Sequence, residues 1–216
     1  MKHLLTHLVI ATILGIVSPV QAATLFRADL DGSQVVPPTS SAASGIATFK
    51  LNQEQTKLDY LIELNGLTLK PDQEARTQPQ DVTKIHIHFG APNTNGPHVL
   101  NIFGLPREDD NDLVVDYVAG TLKGTWDNSD AIDPNTGQLF DPQANGTTKR
   151  LSNFVDELFA NQLYVQIHSV EFGNPGDIRG QILAVPEPST VLGMIFVVGL
   201  GAWLTDHKKS KTLSNK

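Results

Sequence analysis

Hydrophobic and polar residues alternate along most of this chain, and turn-forming residues interrupt the alternation at short intervals. In GIATFKLN (45–52), Ala47, Phe49 and Leu51 fall on one side, and in KLDYLIEL (57–64), Leu58, Tyr60, Ile62 and Leu64 share a face. Successive side chains of a strand point to opposite faces, so a period of two marks a strand buried on one side. The polar QEQT segment joins these two strands as a hairpin. The same signal predicts strands at 24–30, 83–89, 98–103, 113–126, 163–170 and 177–185. Helical spacing occurs once, in SNFVDELFANQ, where Ser152 or Asn153 is placed to cap and Val155, Leu158 and Phe159 form an apolar stripe. Many short strands, long Gly/Pro/Asn loops and one short helix predict an all-β fold, an antiparallel Greek-key sandwich or barrel.

The alternation stops at both ends. Residues 1–22 carry a basic start, the apolar run LVIATILGIV, Pro19 and the small-residue pattern Val20, Gln21, Ala22. That is the layout of a secretory signal peptide cut after Ala22, the alternatives being an uncleaved anchor or a buried helix. At the other end Pro186, Glu187, Pro188 and Ser189 precede an apolar segment at 191–204, and His207, Lys208, Lys209 and Lys211 follow it. The apolar segment is marginally long enough to span a bilayer, with the lysines holding its end in the cytoplasm. Residues 185–211 resemble the bacterial PEP-CTERM sorting signal. The resemblance implies a Gram-negative export route, a transient membrane anchor, removal of the tail by an exosortase-type protease, and delivery to the cell surface or extracellular matrix. A permanent tail anchor is the alternative.

Residues 23–184 are then one domain's worth of chain. With no cysteine, neither disulfides, thiol catalysis nor zinc–thiolate sites are available. A net charge of −7, with lysines concentrated toward the termini, leaves this central part acidic and argues against nucleic-acid binding. The irregular polar stretch 126–150 is too long for a turn and reads as an insertion, either a surface excursion or a ligand loop. Its Asp127, Asp130, Asp133 and Asn135 offer hard oxygens suited to calcium, but their spacing departs from an EF-hand and favours a solvated acidic loop. EDDND (108–112) reads the same way.

KIHIHFG (84–90) holds the clearest chemistry. On a strand His86 and His88 share one face, with Ile85, Ile87 and Phe89 on the other, natural core face. His168 shares its strand face with Tyr164 and Gln166. If those two strands are neighbours, three imidazoles converge, and His98, just past a Gly-Pro turn, is a fourth. Four neutral imidazoles on a β scaffold suit copper or zinc, whereas solitary polar-face histidines serve as hydrogen-bonding residues of a binding fold. No serine-nucleophile or phosphate-cradle motif is present.

Three blocks carry a resemblance to the chordin-type CHRD domain: RADLDGSQVVPPTSSAASGIATFKL, KIHIHFGAPNTNGPHVLNIFG and LYVQIHSVEFGNPGDIRGQI. It implies a β-sandwich or barrel of immunoglobulin-like character and brings no enzymatic activity with it. More distantly, the His-x-His strand, two further histidines and the Gly-Asn-x-Gly segment resemble copper/zinc superoxide dismutase. In that reading His86, His88, His98 and His168 are copper ligands and Arg179 attracts the superoxide anion. The chain lacks that family's cysteine pair and zinc loop, which leaves only a copper-only variant. Otherwise Arg179 is expected to pair with Asp177 or Glu171, or to cap a carbonyl.

The expectation is thus a secreted, surface-sorted, non-catalytic binding or matrix module, with exopolysaccharide or other surface proteins as partners beside the export machinery. Its alternative is a copper- or zinc-binding histidine cluster.

Overall fold

The computed structural model describes residues 23–104, 112–144 and 146–186. The expected signal peptide ending at Ala22, most of EDDND, and the sorting segment from Glu187 and Pro188 through 191–204 lie outside the described residues. Ten strands form: β1 (Thr24–Asp31), β2 (Ser44–Leu51), β3 (Leu58–Asn65), β4 (Val82–Phe89), β5 (His98–Phe103), β6 (Val114–Asp116), β7 (Thr121–Trp126), β8 (Leu163–Ser169), β9 (Ile178–Gln181) and β10 (Leu183–Ala184). They pair as one antiparallel sheet in the order β5-β4-β8-β9-β1-β2-β3-β7-β6, and β10 adds to β1. The sheet curls into a half-barrel, so the fold is all-β with almost no helix.

Curling brings the apolar faces together. Phe26, Phe49, Leu58, Ile62, Ile85, Ile87, Leu122, Trp126, Val165 and Ile167 all lie within one continuous core. Each comes from the apolar half of an alternating strand, so the period of two is what builds the core. Trp126 is fully buried in it, and its indole N–H donates to the Lys149 carbonyl at 2.9 Å.

Three local expectations are corrected. The segment 113–126 is a hairpin rather than one strand, because the Asp116 carboxylate accepts the N–H groups of Val118 and Ala119 at 3.0 and 2.8 Å. Gly120, at φ +70°, completes that turn in a conformation that favours glycine. The segment 177–185 divides at Ile182, whose N–H bonds to the Leu163 carbonyl before β10 crosses to β1. The helical segment is a 3-10 turn (Leu151–Asn153) followed by α1 (Val155–Phe159), and neither Ser152 nor Asn153 caps α1. Phe154 occupies the cap position with no side-chain bond, and packing of Leu158 into the core holds the helix instead.

Core and turn positions respond differently to truncation. Ile62→Ala, at a fully buried site, is expected to lower unfolding free energy by about 2–5 kcal/mol. Val118→Ser, at the fully exposed turn, is expected to change it by less than about 0.5 kcal/mol. Urea denaturation of the two variants checks this contrast.

Candidate metal centre

Strand order decides which histidines meet. β4 lies between β5 and β8, and its register sets His86 opposite Gln166, His88 opposite Tyr164 and Lys84 opposite His168. Directly opposed residues project to the same face of a sheet, so Lys84, His86, His88, Tyr164, Gln166 and His168 share the face away from the isoleucines. On the other side, β5 pairs irregularly with β4: His86 faces Asn101 and His88 faces His98, with register shifts after Ile85 and after Ile87. Bulges of this kind re-aim side chains. Here they set His98 on the same face as His88.

All four histidines of the described domain therefore gather in one place. Candidate ligand nitrogens of His86, His88 and His98 lie within 4.8 Å of one another. The His86 ring is 3.8 Å from that of His98 and 5.4 Å from that of His168, and His88 is 4.4 Å from His98, centroid to centroid. Although this face is opposite the core, it is covered: His86 and His88 are only 5% and 6% exposed.

Backbone carbonyls set the orientation of the rings. Nδ1 of His88 bonds to the Gly96 carbonyl at 2.9 Å, and Nδ1 of His168 bonds to the Gly173 carbonyl. A carbonyl only accepts, so Nδ1 carries the proton in both, and Nε2 presents a lone pair. Both of these Nε2 atoms, and Nδ1 of His86, are buried without a hydrogen-bond partner. Leaving a buried polar nitrogen unpaired costs about 1–3 kcal/mol, and a ligating imidazole held by a carbonyl at its other nitrogen is the usual outer support of a metal ligand. His98 is held in the same way by a side chain, its Nδ1 lying 3.1 Å from Oδ1 of Asn101.

Burial and neighbouring charge favour the neutral form of His86, His88 and His168. Burial, followed by the neighbouring His98, His88 and His168 and by Lys84, pushes the His86 pKa down to about 2. For His88, burial dominates and lowers it to about 3, against the bond to Gly96. His168 is lowered by burial too, with its bond to Gly173 opposing. Neutral imidazole is the form that binds a metal.

Besides the 170–177 loop that carries Gly173, two further loops lie over the site, and sequence reasoning missed what they do. The loop 90–97 folds over His88, and Gly96 lets it approach: a Cβ there would collide with the Phe89 carbonyl. Arg179 pins this loop, donating to the carbonyls of Thr94 (2.9 Å) and Ala91 (3.2 Å). Its guanidinium lies 3.5 Å from the centroid of the Tyr164 ring, which stacks on His88 at 4.9 Å. Arg179 is 1% exposed and, of the two roles expected outside the superoxide reading, caps carbonyls rather than pairing with Asp177 or Glu171, since β9 turns it beneath Tyr164 toward the loop. The stretch expected to be a solvated insertion returns to the sheet as the second cover. Lys149 donates its N–H to the Val99 carbonyl, and Asn101 bonds through its N–H to Thr148 Oγ1 and through Nδ2 to the Gly146 carbonyl. Within it, Asp127, Asp130 and Asp133 cap local turns, and Asp130 is buried. Beside His98 an open cavity of about 660 Å³ lies between β5 and this loop, lined by Phe89, Pro97, Pro142, Gln143 and Phe154 among others.

Asn101 was legible as the one polar side chain besides His98 in HVLNIF. The carbonyls of Gly96 and Gly173 carry no sequence signal.

The match to known families follows the same elements. A model of the CHRD domain matches residues 26–182, from β1 to the end of β9 and so including all four histidines. The chain belongs to the CHRD-domain family. No curated protein matches it. CHRD is an extracellular type of β-domain, and among the described residues no helix is long and apolar enough to cross a membrane.

Neutral buried imidazoles make the metal-free CHRD domain acid-sensitive. Unfolded histidines take up protons near pH 6.5, whereas folded His86 and His88 do so only near 2 and 3. The unfolded state thus binds more protons in this window, and stability falls as pH drops below 6.5, by up to about 1.4 kcal/mol per pH unit for each histidine. Urea unfolding of metal-free protein at about pH 7 and about pH 5, a range in which ordinary carboxylates stay ionised, is expected to reveal this loss. A flat profile would mean that the imidazoles are protonated in the fold.

Proposed function

We propose that this CHRD domain is an exported, surface-directed binding module whose ligand is a transition metal, copper or zinc, held by His86, His88, His98 and His168. The observation that carries the reading is the set of buried, unpartnered ring nitrogens on His86, His88 and His168, grouped on one face and kept neutral. An ordinary polar face would leave such nitrogens to water, and a hydrogen-bonding role would give them partners. Nitrogen donors without carboxylate or thiolate suit copper and zinc over calcium or magnesium. The export part rests on the sequence at 1–22 and at 185–211, where processing by an exosortase-type protease follows from the PEP-CTERM resemblance.

Superoxide chemistry gains no support from Arg179. It donates to the carbonyls of Thr94 and Ala91 and to Oε1 of Gln181, and its face is covered by Tyr164. The residue acts as a positioning group for loop 90–97, and through Gly96 for His88.

The test is metal retention. Purified protein exposed to copper or zinc and then dialysed is expected to keep about one equivalent by elemental analysis. The His86→Ala/His88→Ala variant is expected to lose it. Free metal at about 100 times its Kd is expected to stabilise the parent, but not the variant, by about 2.7 kcal/mol. Equal retention by parent and variant, or none by either, would contradict the proposal.

A further inference from the structure

The charges around the cluster distinguish between the metals that imidazoles accept. Among the described residues, no carboxylate joins the clustered ligand groups. A divalent ion bound by neutral imidazoles would keep both its charges in a site where His86 and His88 are nearly inaccessible to water. Among the described residues, the charges beside the cluster are mostly positive. Lys84 is on the same face, opposite His168, and its charge acts on both His86 and His168. Arg179 is buried behind Tyr164, and its charge acts on His88. Among the described residues the carboxylate that acts on His168 is Asp177, which is itself buried and bonded to the Ser41 hydroxyl. The cost of burying an ion rises with the square of its charge, and unbalanced neighbours of like sign add to it.

Resting on the reading of this cluster as a metal site, we infer that its preferred occupant is monovalent copper, Cu(I), rather than Cu(II) or Zn(II). Cu(I) is satisfied by two or three neutral nitrogen ligands and needs no anionic one. His86, His88 and His98 offer a group of three, with His168 adjacent. Neutral Nε2 donors are already set on His88 and His168 by the carbonyls of Gly96 and Gly173. A protein that favours Cu(I) this way carries or sequesters the reduced ion. No electron transfer is needed for binding.

The experiment is a set of competition titrations on the full chain: Cu(I) under anaerobic conditions against bicinchoninate, and Cu(II) and Zn(II) against chromophoric chelators. Cu(I) is expected to bind at least about tenfold more tightly than either divalent ion, which for copper raises the one-electron couple by about 59 mV over the aqueous ion. Lys84→Glu, a charge reversal at an exposed position, is expected to reduce the preference for Cu(I) over Cu(II) by at least about threefold. Divalent ions bound as tightly as Cu(I), or a preference unmoved by Lys84→Glu, would overturn this inference and leave the metal site standing. Retention of no metal of either charge would overturn the site itself.

Discussion

The structure depends on the two-sided use of one strand. In β4 the side chains of Ile85 and Ile87 enter the core, and that burial fixes the register of the strand against β8. A slip of one residue would drive His86 and His88 into the apolar half-barrel and expel the isoleucines, so the position of the imidazoles is set by the hydrophobic effect acting on their neighbours. The chemistry on one face is positioned by the packing on the other.

Having been placed on the polar face, the histidines are then deprived of water. Loop 90–97 and the return of the 127–150 segment cover them, and each loop also supplies an orienting bond: Gly96 to His88, and Gly146 and Thr148 to Asn101, which holds His98. The stack of Arg179 on Tyr164 on His88 joins the first cover to the sheet. A cation placed on an aromatic face in a desolvated position contributes on the order of 2 kcal/mol, so this column is a structural fastening as well as a source of charge. Covering the imidazoles without giving their inner nitrogens partners is destabilising in the metal-free domain. Metal binding would offset that cost.

Much of this fold was legible in the chain. The alternation in GIATFKLN, KLDYLIEL and TKIHIHF located β2, β3 and β4 closely, because each has one apolar and one polar face. Where the reading failed, the deciding contacts were local and polar: Asp116 turns the 113–126 segment into a hairpin, and Ile182 ends β9 through a backbone bond. Of the cluster, His86 and His88 were visible as a pair, but the approach of His98 and His168 depended on strand order and on the irregular pairing of β5, which hydrophobic patterning does not encode. The 126–150 stretch was legible as an irregular and mostly exposed loop, but its return to β5 was not. Its composition is that of a solvated loop, and its bonds to β5 run largely through backbone groups.

The central claim is that the ring nitrogens of one histidine cluster are metal ligands. X-ray absorption at the metal edge, on protein loaded with copper and dialysed, tests it most directly. The account predicts a first shell made only of imidazole nitrogens, three or four of them at about 2.0 Å, with the outer-ring scattering that histidines produce. A first shell of oxygen atoms, or one unchanged when His86 and His88 are replaced, would place the metal elsewhere and contradict the claim.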